Sequence, residues 1–153
     1  MEQQAVIDFF DRAAANWDAQ LVRNEAVIGK ILDNAGIRPG VSVLDVACGT
    51  GVLIPDYLKR GAAQVTAIDI APEMARIARE KFPQENVTVL CGDAAQTNFE
   101  TPFDCIMIYN AFPHFPEPER LIAHLAGLLT PGGTLTVAHG LSRSALDAHH
   151  EKT

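Results

Sequence analysis

A short segment with two glycines, set between an apolar run and a helical pattern, is the part of this sequence best suited to hold a ligand. Gly49 and Gly51 allow a tight turn, and they let the backbone approach a ligand without a Cβ in the way. Asp69 stands at the end of the next apolar run, where a carboxylate can accept hydrogen bonds from both hydroxyls of a ribose. This spacing predicts a nucleoside site at the turn.

Asp45, which we place in the same loop region, indicates which nucleoside ligand suits the turn. A dinucleotide would carry its pyrophosphate over this turn, and a carboxylate there would repel it. Ile54 stands where the third glycine of a G-x-G-x-x-G pattern belongs, and no G-K-[S/T] follows, which excludes a P-loop. Asp45 would instead attract a ligand with an ammonium group and no phosphate. S-adenosylmethionine (SAM) has an adenosine, a sulfonium and such an amino-acid tail.

The elements that must position these residues follow from the hydrophobic pattern. Apolar residues at helical spacing predict two N-terminal helices, and from residue 41 onward apolar strands alternate with helices. Helices are expected over 4–17, 24–35, 52–60, 72–82 and 117–129, and strands over 41–47, 64–69, 87–92, 103–110 and 134–139. Such alternation is typical of an α/β protein with a doubly wound, Rossmann-like parallel sheet and helices on both faces. Its ligand would lie beyond the carboxyl ends of the strands.

Composition narrows the class of protein. The length of 153 residues fits a single domain, and the net charge of −7 disfavours nucleic-acid partners, which need clustered positive charge. Three cysteines, Cys48, Cys91 and Cys105, cannot all pair, which favours reduced thiols and a cytoplasmic location. No apolar run reaches the length of a membrane span. The histidines show no ligand spacing with a carboxylate, so no metal is predicted.

Several motifs, in order and in spacing, resemble those of the class I SAM-dependent methyltransferases. They are Val43–Gly51, Ala67–Met74, Gly92–Ala94, Phe103–Asn110 and Leu129–Leu135. The N-terminal segment is similar to that of small-molecule methyltransferases of the ubiquinone/menaquinone-biosynthesis type. The resemblance implies an enzyme that transfers a methyl group from SAM to a small-molecule acceptor and releases S-adenosylhomocysteine (SAH).

The resemblance also implies a set of cofactor-binding residues. Those around the methionine portion of SAM would be Asp45, Ala47, Gly49 and Gly51. Asp69 would hold the ribose hydroxyls, and the adenine would lie among Ile70, Met74, Asp93 and Ala94. The family often has glycine where Ala47 stands, and alanine is small enough to fit. Asp93 could instead close an Asx turn, and Met74 could belong to the core.

The candidate catalytic residues lie at the end of the fourth predicted strand and just beyond it. The resemblance places Tyr109 and Asn110 beside the sulfonium and the acceptor. His114 follows in the next loop, where a histidine could act as a general base if the acceptor is a hydroxyl.

The sequence is expected to divide into an N-terminal helical segment and a SAM-binding core, and the role of each has an alternative. Residues 1–38 would form N-terminal helices that act as a lid over the cofactor, although Trp17 could instead be a core residue. Residues 39–153 would form a SAM-binding core that lacks the last two strands of the seven-stranded methyltransferase sheet. Either the sequence is a fragment of a longer enzyme, or its fifth strand leaves an edge for a homo-oligomer or a partner chain. A non-catalytic SAM-binding or interaction module is therefore a second hypothesis, and Asp45 disfavours a third, a nicotinamide-dependent oxidoreductase.

Overall fold

The structure is a computed structural model that describes residues 3–21, 23–109 and 117–138. It contains five helices and five strands within those ranges. In chain order they are α1 (Gln3–Gln20), α2 (Glu25–Ala35), β1 (Ser42–Val46), α3 (Ile54–Lys59), β2 (Gln64–Asp69), α4 (Pro72–Lys81), β3 (Val87–Cys91), β4 (Phe103–Tyr109), α5 (Pro118–Ala126) and β5 (Leu129–Ala138).

The strands form one parallel sheet in the order β3-β2-β1-β4-β5, with β1 in the centre. Apolar side chains of α2, α3 and α4 pack on one face of this sheet, and those of α5 pack on the other. Helices on both faces explain why the central strands are buried along nearly their whole length. The predicted doubly wound α/β fold is therefore confirmed. The order reverses at β1, so the carboxyl ends of β1 and β4 border the crevice where such sheets bind ligands.

The ends of α2 and α4 follow from local chemistry that the sequence displays. Asn24 caps α2 by accepting a 3.1 Å hydrogen bond from the backbone N–H of Val27, and Gly36 ends that helix at φ 78°. Pro72 begins α4, where its missing N–H costs no helical hydrogen bond.

The largest departure from the predicted elements concerns β5. The predicted helix over 117–129 ends at Ala126, and the predicted strand over 134–139 begins at Leu129 instead. Leu129 pairs with Phe103 and Thr134 pairs with Cys105, with an irregular register between these pairs. The Pro-Gly-Gly turn signal at 131–133 is therefore an interruption inside the strand, because β4 continues to pair with the chain on both sides of it.

Helix α1 packs mainly on α4. Ala14, Ala71 and Met74 are buried between the two helices, and Phe10 and Trp17 pack on this cluster with ring centroids 5.8 Å apart. The helix therefore lies near the carboxyl end of β2, which α4 follows. Within the described ranges, every helix is too short or too polar to cross a membrane.

Candidate functional site

The turn after β1 has a backbone that few residue types adopt. Ala47, Gly49 and Gly51 have positive φ angles of 57°, 59° and 87°. A Cβ on Gly51 would lie 2.8 Å from the Phe82 ring and 3.0 Å from Ile54, so glycine is required there on two grounds. The left-handed backbone at Ala47 is one that glycine adopts freely and that alanine adopts at some cost.

The Asp69 carboxylate fixes this turn from the end of β2. Its Oδ2 accepts a 2.8 Å hydrogen bond from the Gly49 backbone N–H, and its Oδ1 accepts one of 2.9 Å from Ala71. Asp69 is 8% exposed, and burial raises its pKa despite the two N–H donors. Each oxygen keeps a further lone pair, so the carboxylate can also accept hydrogen bonds from ribose hydroxyls.

Asp45 lies beneath the turn. It belongs to β1, within the predicted strand 41–47 and just before the glycine turn rather than inside it, in register with Ala67 of β2 and Met107 of β4. It is 2% exposed, and burial raises the pKa of its carboxyl to about 8. The nearby Tyr57 hydroxyl offsets part of this rise in pKa, although the hydroxyl oxygen makes no hydrogen bond of ordinary geometry.

The residues predicted to surround an adenine lie just beyond β2 and β3. Ile70 is half-buried, Met74 is buried under α1, and Ala94 is buried on the opposite face of the sheet. Asp93 closes an Asx turn by accepting a 2.9 Å hydrogen bond from the Ala95 N–H, and its other oxygen accepts one from Gln3. Asp93 therefore forms the Asx turn and Met74 is a buried packing residue, as the structural alternatives proposed. Their contacts with adenine stay predictions.

Helix α1, part of the predicted lid, contacts the site through Trp17, which the sequence analysis singled out, and through Asp11 and Asp18, which it missed. Trp17 Nε1 lies 4.0 Å from where a Cβ on Gly49 would stand, and Asp18 accepts a 2.6 Å hydrogen bond from the Thr50 hydroxyl. Asp11, seven residues before Asp18 and so on the same helix face, accepts a 3.0 Å hydrogen bond from the backbone N–H of Glu73. The seven-residue spacing of these two aspartates was the signal in the sequence that they lie on one face of α1.

Asp18 also joins α1 to α4. Lys81 donates a 2.9 Å hydrogen bond to its Oδ2, and although burial opposes the effect, Thr50 and Lys81 together lower the pKa of Asp18. An ionised Asp18 therefore links α1, the turn and α4.

Of the three predicted catalytic residues, the structure describes one. Tyr109 is half-buried and ends β4 beside the carboxyl end of β1, where Ile108 pairs with Val46. Asn110 and His114 lie outside the described residues, so all three catalytic roles stay predictions. The part of the chain that the structure describes contains no group of His, Cys, Asp and Glu side chains that could hold a metal ion.

The chemistry of this site fits SAM. Asp69 offers acceptors to hydroxyl donors, and Asp45 offers a buried carboxyl to a cation, whereas the turn over 47–51 carries no basic side chain for a pyrophosphate. The residues that would hold the cofactor are therefore these two carboxylates and the backbone of the turn.

Comparison with known proteins agrees with this geometry. A family model described as a methyltransferase domain matches residues 43–133. A ubiquinone biosynthesis O-methyltransferase of Xanthomonas campestris is 40% identical over 101 residues, which are 63% of this chain and 42% of that protein. A malonyl-[acyl-carrier protein] O-methyltransferase of Acetivibrio thermocellus is 32% identical over 129 residues, 82% of this chain and 46% of the relative. The chain thus spans less than half the length of these relatives.

Solved structures share the fold. A methyltransferase in complex with the Trm112 methyltransferase activator of Haloferax volcanii superposes with a TM-score of 0.82 at 24% identity, covering 96% of this chain and 65% of that one. The DhpI–SAH complex gives a TM-score of 0.73 at 22% identity, covering 88% and 67%. The predicted family is confirmed: this chain belongs to the methyltransferase domain family of class I SAM-dependent methyltransferases, with relatives in ubiquinone biosynthesis.

Proposed function

We propose that this protein transfers the methyl group of SAM to a small-molecule acceptor. The observation that carries the proposal is the turn after β1, which lies between two buried carboxyl groups, Asp45 beneath it and Asp69 bonded to it. This arrangement suits a nucleoside with a cationic tail and disfavours a pyrophosphate. SAM, when bound, supplies a methyl carbon that is activated by a positive sulfur and leaves behind a neutral thioether.

The residues of the chain would contribute mainly alignment. Asp69 would orient the ribose through its free lone pairs, and Asp45 would hold the ammonium group of the amino-acid tail. When SAM is held with its methyl carbon in line with the acceptor atom, the transfer becomes effectively intramolecular. Such alignment can lower the activation barrier by up to ~7–11 kcal/mol. Exclusion of water by the surrounding apolar residues would favour a transition state in which charge is dispersed.

The acceptor side would be formed by Tyr109, Asn110 and His114. Two relatives are named O-methyltransferases, which supports a hydroxyl or carboxyl acceptor. With a hydroxyl acceptor, His114 would remove the proton as the oxygen bonds to the methyl carbon. The net acidic charge of −7 favours neutral or aromatic acceptors over polyanions.

Helix α1 would cover the bound cofactor as a lid. Support comes from its contacts, since Gln3, Trp17 and Asp18 all approach residues of the predicted cofactor site. Hydrogen exchange tests this role, because bound SAH should slow exchange in α1 more than in α5, which packs on the other face of the sheet. Equal protection of the two helices from exchange would contradict the role of α1 as a lid.

The function is tested by calorimetry followed by a transfer assay. We expect SAM and SAH to bind and NAD⁺ not to bind. The transfer assay uses SAM with a tritiated methyl group and a panel of phenols, catechols and carboxylic acids, with Asp69→Ala as the control for cofactor-dependent transfer. Binding of NAD⁺ without binding of SAM would contradict the proposal.

A second candidate function is a partner-dependent or non-catalytic SAM-binding module. Strand β5 has β4 as its one neighbour in the described sheet, and Val137 on β5 is 40% exposed. The Haloferax neighbour was solved in complex with an activator protein, which supports a partner chain, and an exposed sheet edge is a surface on which a partner or a second copy can pair. Light scattering with Val137→Lys as the matched variant tests this, because a lysine on the edge should dissociate an edge-paired dimer.

We also infer a cytoplasmic location. The support is that Cys48, Cys91 and Cys105 are all free thiols. Localisation of a tagged full-length protein by fractionation tests the inference.

A further inference from the structure

Packing alone does not explain why residue 57 is a tyrosine, with a hydroxyl group, rather than a phenylalanine. The side chain lies in the apolar cluster between α3 and the sheet and is 0% exposed. Its hydroxyl oxygen is buried and has no hydrogen-bond partner. A phenylalanine would fill the same volume without a buried, unsatisfied polar group, which is costly in any core.

The titratable groups whose charge acts on this hydroxyl come from three elements. They are Asp45 of β1, Cys48 of the turn and Asp56 of α3, and Asp69 of β2 in turn faces Asp45. Each of them can accept a hydrogen bond from Tyr57 or changes the charge near it.

Asp45 is the acceptor in this group that acts most strongly on the Tyr57 hydroxyl. Cys48 directs its own thiol to the Gly49 carbonyl at 3.4 Å. Asp56 precedes Tyr57 on α3, where adjacent side chains diverge, and its effect on the hydroxyl is the weakest of the three. Its Oδ1 accepts from Arg23, and its Oδ2 is buried without a hydrogen-bond partner. Asp69 acts on Asp45 and is one step removed from the Tyr57 hydroxyl.

The geometry points to Tyr57 as a positioning residue for the ammonium group of the cofactor: its hydroxyl donates to the Asp45 carboxylate when that carboxylate ionises to receive the cation. This inference rests on the proposed function, because it assigns the ammonium group of SAM or SAH to Asp45. The Asp45 proton leaves to solvent, and the hydroxyl then has an ionised acceptor.

The charge state of Asp45 supports this order of events. Burial keeps the carboxyl protonated near neutral pH in the free protein, with a pKa of about 8 that nearby Asp69 helps to raise. A bound ammonium group favours the ionised form, and a hydroxyl that donates to the carboxylate favours it further. Removal of the hydroxyl should therefore weaken cofactor binding most at pH values where Asp45 must lose a proton.

The test compares Tyr57→Phe with the wild-type protein by calorimetry from pH 6.5 to 9.5. The probes are SAH, which has the ammonium group, and 5′-methylthioadenosine, which lacks the amino-acid tail. We expect Tyr57→Phe to bind SAH about tenfold more weakly at pH 7, with the difference shrinking at high pH, and to bind 5′-methylthioadenosine as tightly as wild type does. The midpoint of thermal unfolding without ligand should be unchanged or higher.

Asp45→Asn provides the matched background. If Tyr57 acts through Asp45, Tyr57→Phe should cause no further loss of SAH affinity in Asp45→Asn. Wild-type binding of SAH near pH 7 should also release close to one proton, measured in buffers of different ionisation enthalpy, and this measurement needs no variant. An equal loss for both probes at every pH, or no proton release, would overturn the role of Tyr57. Failure of the wild type to bind SAH at any pH would instead overturn the proposed function.

Discussion

The backbone N–H of Gly49 donates a 2.8 Å hydrogen bond to Oδ2 of Asp69, so the end of β2 holds the turn that follows β1. The same carboxylate holds the start of the next loop through the Ala71 N–H. One side chain therefore fixes the backbone on both sides of the predicted ribose position before any ligand arrives. A site held in this way loses little conformational freedom on binding.

Replacing Asp69 with alanine should weaken both the fold and the cofactor site. Two backbone N–H groups lose their acceptor, and hydrogen bonds to a charged group are worth about 1–3 kcal/mol, so we expect a drop of that size in the free energy of unfolding. Urea denaturation measures it. SAH affinity, measured by calorimetry, should fall by a similar amount. Glu85→Ala, at an exposed position, is the control. Undiminished SAH binding by Asp69→Ala would show that Asp69 does not hold the ribose.

Gly51 and Gly40 form a matched pair for separating backbone strain from crowding. Both have φ 87°, but a Cβ on Gly40 meets nothing within 4 Å, whereas one on Gly51 meets Phe82 at 2.8 Å. Gly40→Ala should cost about 1–2 kcal/mol of unfolding free energy through its left-handed backbone. Gly51→Ala should cost about 1–3 kcal/mol more, because the Phe82 ring must move. Equal losses in urea denaturation would show that the turn can accommodate the methyl group.

The sheet was predictable from sequence because parallel strands buried on both faces are near-continuous apolar runs. Strand 64–69 was predicted with its observed bounds, and most other elements differ by one to three residues. The errors at β5 arose because a Pro-Gly-Gly sequence is a strong local turn signal, and pairing with β4 across it cannot be seen locally. Tertiary pairing overrode the local preference there.

The site was predictable in part. Asp69 and the glycines could be identified because each stands at the end of a predicted strand or just after one. The structure brings Asp69 and Gly49 together through a hydrogen bond. The spacing of Asp11 and Asp18 indicates only that they share a face of α1. The hydrogen bonds of Thr50 to Asp18 and of Gln3 to Asp93 depend also on how α1 lies against the sheet, which the sequence does not specify locally. Tyr57 was missed because, in an apolar helical stripe, its spacing is that of a core residue.

The pH dependence of stability should carry a signature of Asp45. Its pKa is about 8 in the folded protein and roughly 4 when unfolded, so between these values the folded state holds a proton that the unfolded state has lost. Stability therefore falls as pH rises through this window, by up to about 1.4 kcal/mol per pH unit from this group. Asp69, whose pKa is also raised, acts in the same direction.

Asp45→Asn tests the origin of this slope, because an amide cannot ionise. Urea denaturation at pH 5, 6, 7 and 8 should give a flatter decline in unfolding free energy for the variant than for wild type. The same slope in both proteins would mean that Asp45 ionises in the folded state near its ordinary pKa.

Trp17 should report cofactor binding through its fluorescence. It is the single tryptophan of the sequence, and its Nε1 lies 4.0 Å from the position a Cβ would take on Gly49. A ligand at the turn would change the polarity around the indole or displace α1, and either change alters the emission. We expect titration with SAH to shift or quench the emission, with a midpoint equal to the dissociation constant from calorimetry.

Trp17→Phe separates the signal from the binding. Phenylalanine keeps an aromatic ring against Phe10 and Met74, so the α1–α4 contact should persist and calorimetry should still detect SAH. Tyrosine emission would remain as the background. If wild-type fluorescence stays constant while calorimetry shows saturation, the cofactor binds away from the turn that Trp17 covers, and α1 is then a packing element with no part in holding the ligand.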